Sequence, residues 1–363
     1  MSIKRVAINT GGGDAPGLNA VIRAATLAGI RRDWEMFGIR NGYRSITEEK
    51  EAPLMTLDRT AVQGITMRGG TILGTANRGN PFEMPFKNDK GEWELRDESD
   101  HLVEEFKKQK LDALIAIGGD GSMHIASKLI EKGIPIVGVP KTIDNDLPET
   151  DITLGFDTAM STAADSIDKI TTTAEAHERI MVVEVMGRYA GWIALHSGLS
   201  STADVILIPE IPFEFDSIVK KIEERRQRGR YFTMIVVAEG AVEKNGKRHV
   251  LGKAVGQAEQ LGGVGEFVAK KLSELTGQES RHTVLGHLQR GGSPSSTDRL
   301  LSIRLGAEAI RAVNEEDFNK LIVTHGPELK RIPISDIAGK TKTVPLDGDI
   351  IQTARDIGIC LGD

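Results

Sequence analysis

The chain has a single cysteine, Cys360, in 363 residues, so no disulfide can form within it. No histidine lies near Cys360 in sequence, which favours a small packed residue over a catalytic thiol. Aromatic residues make up only 4% of the chain, so its cores must be built from aliphatic side chains. Its eight histidines show no H-E-x-x-H spacing, which argues against a dedicated zinc site. No apolar run approaches the ~20 residues that a membrane helix needs. Residues Met1 to Asn9 enter a strand pattern with no basic stretch and long apolar region before it, so a cytoplasmic location is the expectation. Acidic residues outnumber basic ones, and the net charge of -6 argues against a general nucleic-acid surface.

Short β-like runs alternate with helical patterns along the chain. The strand-like runs are Arg5 to Asn9, Met36 to Arg40, Leu111 to Ile117, Pro135 to Val139, Ile180 to Val185, Val205 to Ile208, Met234 to Ala238 and Thr283 to Leu285. Helical patterns cover Gly17 to Ile30, Met123 to Lys132, Tyr189 to Gly198, Phe215 to Arg228 and Thr297 to Ala312. Such alternation predicts an α/β protein with mostly parallel sheets covered on both faces, and the length predicts two domains. The polar stretch Asn77 to Asp100 breaks the alternation and reads as a surface excursion turning at Asn88 to Gly91. Lys220 to Arg230 is dense in both charges and reads as a solvated helix face.

Two loops carry the chemistry. Gly118-Gly119-Asp120-Gly121-Ser122 joins an apolar strand to a helix, where glycine backbone and helix dipole together suit phosphate. Pro140-Lys141-Thr142-Ile143-Asp144-Asn145-Asp146 sets two carboxylates two residues apart, on one side if the segment is extended. Asp120 suits Mg²⁺, which takes one or two carboxylates besides phosphate oxygens and water. Asp144 suits a general base, and Asp146 beside it should raise its affinity for a proton, against the opposing charge of Lys141. Thr10 to Gly17 is glycine-rich but fails the dinucleotide fingerprint, because Pro16 stands where the third glycine belongs and Arg40-Asn41 offers no ribose acid. That weighs against an NAD-dependent oxidoreductase. Arg179, Arg188, Arg281, His287 and Arg290 lie next to predicted strands and supply cations for a phosphorylated substrate.

With Gly12 to Asn19, Gly118 to Ser122, Pro140 to Asp146, Val183 to Arg188 and Val284 to Pro294 taken together and in order, the chain resembles the 6-phosphofructokinases. The resemblance implies two doubly wound three-layer α/β domains with the active site in the cleft between them. It implies a donor domain over 1–155 plus 291–339 and a sugar-phosphate domain over 156–290 plus 340–363. It implies ATP-dependent phosphorylation of the 1-hydroxyl of fructose 6-phosphate, with Mg²⁺. Catalysis would involve Asp144, Arg188, Lys141 and Gly121. Gly13, Arg78, Gly79, Gly119, Asp120, Gly121 and Ser122 would line the donor site, with Asp120 the metal residue. Thr142, Ile143, Met186, Gly187, Glu239, His287, Leu288, Gln289 and Arg290 would line the sugar site, joined by Arg179 and Arg281 from a neighbouring subunit. A homotetramer or homodimer is implied.

Two alternatives belong with this resemblance. Pyrophosphate-dependent members carry Asp where this chain has Gly121 and Lys where it has Lys141, so the chain takes one residue from each pattern. A non-catalytic regulatory subunit would have lost Asp144, Asp120 or the phosphate arginines, and all are present. Leu27 and Thr171 stand where allosteric bacterial members carry effector arginines, so a weak response to phosphoenolpyruvate is expected.

Overall fold

The computed structural model describes residues 3–47, 54–76, 79–88, 90–252 and 260–363. Strands β1 (Arg5–Thr10), β2 (Glu35–Ile39), β3 (Leu54–Leu57), β4 (Met84–Lys87), β5 (Trp93–Arg96), β6 (Ala113–Gly118) and β7 (Ile136–Pro140) make up the first part of the chain. Next come β8 (Ile180–Val185), β9 (Val205–Leu207), β10 (Thr233–Ala238), β11 (Val250–Gly252), β12 (Gln260–Leu261), β13 (Ser280–Val284), β14 (Lys320–His325) and β15 (Glu328–Pro333). Seven of them form one sheet in the order β15-β14-β7-β6-β1-β2-β3, parallel through its centre and closed at each edge by an antiparallel strand. A second sheet, β13-β8-β10-β9, is parallel throughout.

In each sheet the strand order reverses, and at that point the loops leaving adjacent strands diverge and leave a crevice. In the larger sheet the chain runs from β1 outward to β2 and later returns to lay β6 on the other side. The loops after β1 and β6, the two glycine-rich segments, therefore flank that crevice. In the smaller sheet β8 has β10 on one side and β13 on the other, which brings Met186 to Arg188, Glu239 and His287 to neighbouring strand ends.

The core is aliphatic, as the scarcity of aromatics requires. One apolar cluster includes Ile8 and Ile115 of the larger sheet, Val183 and Val236 of the smaller, and Ala159, Ala163 and Ile167 of the helix Phe156–Ala176 that lies between. Each wholly buried Ile or Leu contributes about 1.5–3 kcal/mol relative to an exposed one. Among the helices that start on a glycine without a side-chain cap are those beginning at Phe156, Trp192 and Val264. Acids distant in sequence satisfy their free N–H groups: Asp298 accepts from Gly155 (2.9 Å) and Thr158 (2.8 Å), Glu210 from Gly191 (3.0 Å), and Glu184 from Gly265 (2.7 Å). The helix dipole favours a negative charge at each of these places.

Several expectations change. The polar excursion contains a hairpin, β4 paired with β5, and Asn88 shapes its turn by accepting N–H bonds from Lys90 and Glu92. The helix predicted from Tyr189 begins at Trp192, where Glu210 caps it. The charged face at 220–230 is not wholly solvated. Arg225 turns inward, pairs with Asp204, and donates to Phe232 O at 3.0 Å, because the adjacent strand end leaves that carbonyl free. Among the described residues, no helix is long and apolar enough to cross a membrane.

Candidate active site

Backbone proximity builds the phosphate cradle. Ser122, in the first turn of the helix Asp120–Glu131, packs so tightly under the strand ends that a Cβ on Gly118 would sit 2.2 Å from Ser122 Cβ. Only glycine lets the β6 end close on the helix this way. Gly11 N–H donates to Ile117 O at 2.9 Å, tying the first glycine loop to the second. The helix starts at Gly119 without a side-chain cap, so its first amides remain free for an anion. A Cβ on Gly121 would meet nothing within 4 Å, so this face of the cradle is open.

Lys141 is buried beneath the cradle and donates to Gly13 O. Burial brings its ammonium down to about 8, with Arg290 adding to the fall and Asp14, Asp144 and Asp146 opposing it. Above Gly13 lies Arg290, whose Nη1 donates to Asp14 O at 2.9 Å. A Cβ on Gly13 would lie 2.6 Å from that nitrogen, so the glycine is what allows the guanidinium to lie across the loop.

The Asp144 segment is a turn rather than extended, so the condition under which Asp144 and Asp146 would share a side by alternation is not met. Asn145 takes a left-handed φ of 51° and is buried. Its side chain explains the turn: Oδ1 accepts from Thr153 N at 3.0 Å and Nδ2 donates to Asp151 O at 3.3 Å. Thr153 Oγ1 donates to Thr142 O at 2.6 Å, and the Asp144 N–H donates to Thr142 Oγ1 at 3.1 Å. Asp144 is left half-buried, with Oδ1 out of solvent and without a hydrogen-bond partner. Burial and the charge of Asp146 push its carboxyl up to about 6, against Arg290, Arg188 and Lys141. Asp146 is also raised, by burial and by Asp120, against a hydrogen bond from Thr142 and the charge of Lys141.

Opposite lie the ends of the smaller sheet. Glu239 N–H donates to Val185 O (2.9 Å) and Gly240 N–H to Gly187 O (3.0 Å), which locks the loops after β8 and β10 together. Burial pushes Glu239 up to about 7, with Asp144 the next cause and Arg188 and Arg290 opposing. Asp144, Glu239, Arg188 and Arg290 thus come from four segments and act on one another as one charged group.

The other expected site residues divide. Met186 is half-buried, while His287 and Leu288 are exposed. Gly79 lies beside Arg44, and Arg78 is outside the described residues. Ile143 packs its side chain into the core, and Gln289 is wholly buried with Nε2 donating to Gly286 O. Neither of those two side chains reaches the open site. Arg179 and Arg281 lie at the start of β8 and β13, roughly 20 Å of strand from the charged group, where both pair with Glu279. Thr171 lines a different cavity, of about 260 Å³, with Asp204, Arg225 and Arg230.

One partner of the site carries no local sequence signal. The segment Gly339 to Val344 crosses it: Gly339 N–H donates to Asp120 Oδ1 at 2.8 Å and Lys342 N–H to Asp146 O at 2.7 Å. Asp120 keeps its other carboxylate oxygen. Asp120 and the nearby Asp146, whose carboxyl it helps to raise, lie beside an anion cradle and fit the sparse donor set of Mg²⁺.

A family model described as Phosphofructokinase matches residues 5–313. The ATP-dependent 6-phosphofructokinase 2 of Clostridium perfringens is 45% identical over 366 residues, covering 99% of each chain. The pyrophosphate–fructose 6-phosphate 1-phosphotransferase of Amycolatopsis methanolica is 47% identical over 345 residues, covering 94% of this chain and 96% of its own. The crystal structure of Pichia pastoris phosphofructokinase in the T-state is similar with a TM-score of 0.79 and 32% identity over 93% of this chain, which spans 36% of that structure's chain.

Proposed function

The chain belongs to the phosphofructokinase family, and from that premise we propose that it is an ATP-dependent 6-phosphofructokinase acting on the 1-hydroxyl of fructose 6-phosphate. The observation that carries the reading is Asp144 Oδ1, an unpaired buried carboxylate oxygen beside an open phosphate cradle and between three cations. Asp144 takes the proton of the sugar 1-hydroxyl as that oxygen bonds to the γ-phosphorus, and the bond from phosphorus to the ADP oxygen breaks. Arg188 and Lys141 meet the charge on the transferring group, and the amides around Gly119, Gly121 and Ser122 meet the donor phosphates. Asp120 would hold Mg²⁺, which supplies charge neutralisation to those phosphates.

Glu239, Thr142, Met186, Gly187 and His287 orient the sugar, and Arg290 binds its 6-phosphate. Ile143 and Gln289 contribute by backbone or by packing, since their side chains are buried. The division into 1–155 plus 291–339 and 156–290 plus 340–363 is supported by the strands that share each sheet. A cytoplasmic enzyme is in keeping with this reading.

ATP is the donor because Gly121 leaves room where a nucleotide α-phosphate must lie. Pyrophosphate is the second reading, favoured by the burial of Lys141 under the cradle, where its charge can serve either donor. Steady-state rates with ATP and with pyrophosphate decide between them: turnover with pyrophosphate and none with ATP reverses the assignment.

Arg179 and Arg281 are too far along their strands to serve their own chain's site, so they reach the 6-phosphate in a neighbouring copy of a homotetramer or homodimer. Arg281→Ala should raise KM for fructose 6-phosphate by about 10-fold or more. Co-assembly of Arg281→Ala with Asp144→Asn subunits should recover about a quarter of wild-type activity, because a quarter of the shared sites are then intact. Mixtures no more active than the two variants measured apart would show that the site is complete within one chain.

A further inference from the structure

The segment Gly339 to Val344 is bonded to Asp120 and to the Asp144–Asp151 loop, and Lys342 makes most of those bonds. Its backbone N–H donates to Asp146 O at 2.7 Å. Its Nζ donates to Thr150 O at 2.8 Å and to Asp151 O at 3.2 Å. Its carbonyl accepts from Trp192 Nε1 at 3.0 Å, while the ammonium lies 5.3 Å from the Trp192 ring centre. Val344 N–H then donates to Glu210 Oε1 at 2.8 Å, fixing the far end of the segment at the start of the Trp192–Ser200 helix.

We propose that Lys342 is a positioning residue for phosphoryl transfer, clamping the Asp144–Asp151 loop from outside so that the unpaired oxygen of Asp144 stays aimed at the acceptor hydroxyl. The inside of the same loop is held by Asn145 and Thr153. Those bonds fix the turn itself but do not engage the carbonyls of Asp146 and Thr150, and Asp151 O accepts both from Asn145 Nδ2 inside and from Lys342 Nζ outside. A single long side chain and its own N–H collect all three. Trp192 supplies the rigid wall against which the lysine lies, since an ammonium over an indole face is attracted to it. Trp192 belongs to a helix that packs with the smaller sheet, so Lys342 also ties the base loop to the sheet that carries Arg188 and Glu239.

The proposal rests on the phosphofructokinase reading, and its test separates the two. Lys342→Met keeps the apolar stem and removes the donors. Misplacing a reacting group by an ångström can cost about 100-fold, so kcat should fall about 10- to 100-fold while KM for each substrate stays within about twofold. Lys342→Arg restores charge and donors and should recover most of the loss. Amide hydrogen exchange in 142–154 should quicken in Lys342→Met with global unfolding unchanged. If Lys342→Met does not fold, Trp192→Phe removes the indole donor while keeping a smaller aromatic face, and should lower kcat several-fold by the same route. A kcat within twofold of wild type in Lys342→Met, or an Arg variant no better than Met, overturns the proposal. A wild-type enzyme without phosphofructokinase activity overturns the functional reading instead, and the exchange measurement still judges the clamp: equal exchange in both proteins sinks it.

Discussion

Replacing Asp144 with asparagine is expected to lower kcat by about 10²- to 10⁴-fold with KM for both substrates nearly unchanged, the range that general-base catalysis contributes. Asparagine keeps the shape of the side chain and cannot take a proton. The wild-type carboxyl lies up at about 6, so kcat/KM should fall on the acid side near that pH, well above the usual carboxylate range. The same substitution should stabilise the fold at neutral pH. Because the folded state binds the Asp144 proton more tightly than the unfolded chain, wild-type stability declines as pH rises from the ordinary carboxylate range to about 6. The variant has no such decline. After allowance for the partial exposure of the residue, the variant should gain roughly 1–3 kcal/mol at pH 7.5 and little at pH 4. Denaturant unfolding at the two pH values measures the difference. A variant that retains full turnover removes Asp144 as the base, and one equally destabilised at both pH values removes the argument from burial.

The gain in stability on losing activity has a structural counterpart in what could be read from the sequence. The strand ends and their loops were legible because glycine and apolar runs mark them locally, and the parallel centre of the larger sheet follows from β-α alternation. Its edge strands were not, since Leu54–Leu57 is short and Glu328–Pro333 is rich in charge and ends on proline like a surface loop. The 21-residue helix Phe156–Ala176 escaped for a different reason. Its stretch of Thr171, Thr172 and Thr173 is a poor intrinsic helix former, and it is held by packing of Ala159, Ala163 and Ile167 and by the distant cap Asp298. Asp144 could be named from its motif, but the turn that frees its oxygen depends on Thr153 and Lys342, remote contacts with no local mark. Arg225 looked solvated because its pattern of neighbours is charged, whereas the carbonyl of Phe232 and the carboxylate of Asp204 decide its direction.

Substituting Gly121 with aspartate should reduce kcat/KM for ATP by about 10³-fold, because two like charges ~4 Å apart cost about 4 kcal/mol at an effective dielectric of 20. The substitution is a clean probe because the position is open: a Cβ there meets nothing within 4 Å, and the backbone is helical. An acidic side chain in the first turn of a helix is favoured by the dipole by about 0.3–1 kcal/mol, so the fold should not suffer. Any loss of ATP turnover then reports on the charge itself. Pyrophosphate has no atoms beyond its two phosphoryl groups, so it does not meet the new carboxylate as a nucleotide α-phosphate would. Its turnover, whatever its starting value, should fall far less. Gly121→Ala separates bulk from charge: a methyl group in open space should leave ATP turnover within about threefold. Undiminished ATP turnover in Gly121→Asp would mean that the nucleotide does not pass this position, and the preference for ATP would then have to come from another part of the donor site.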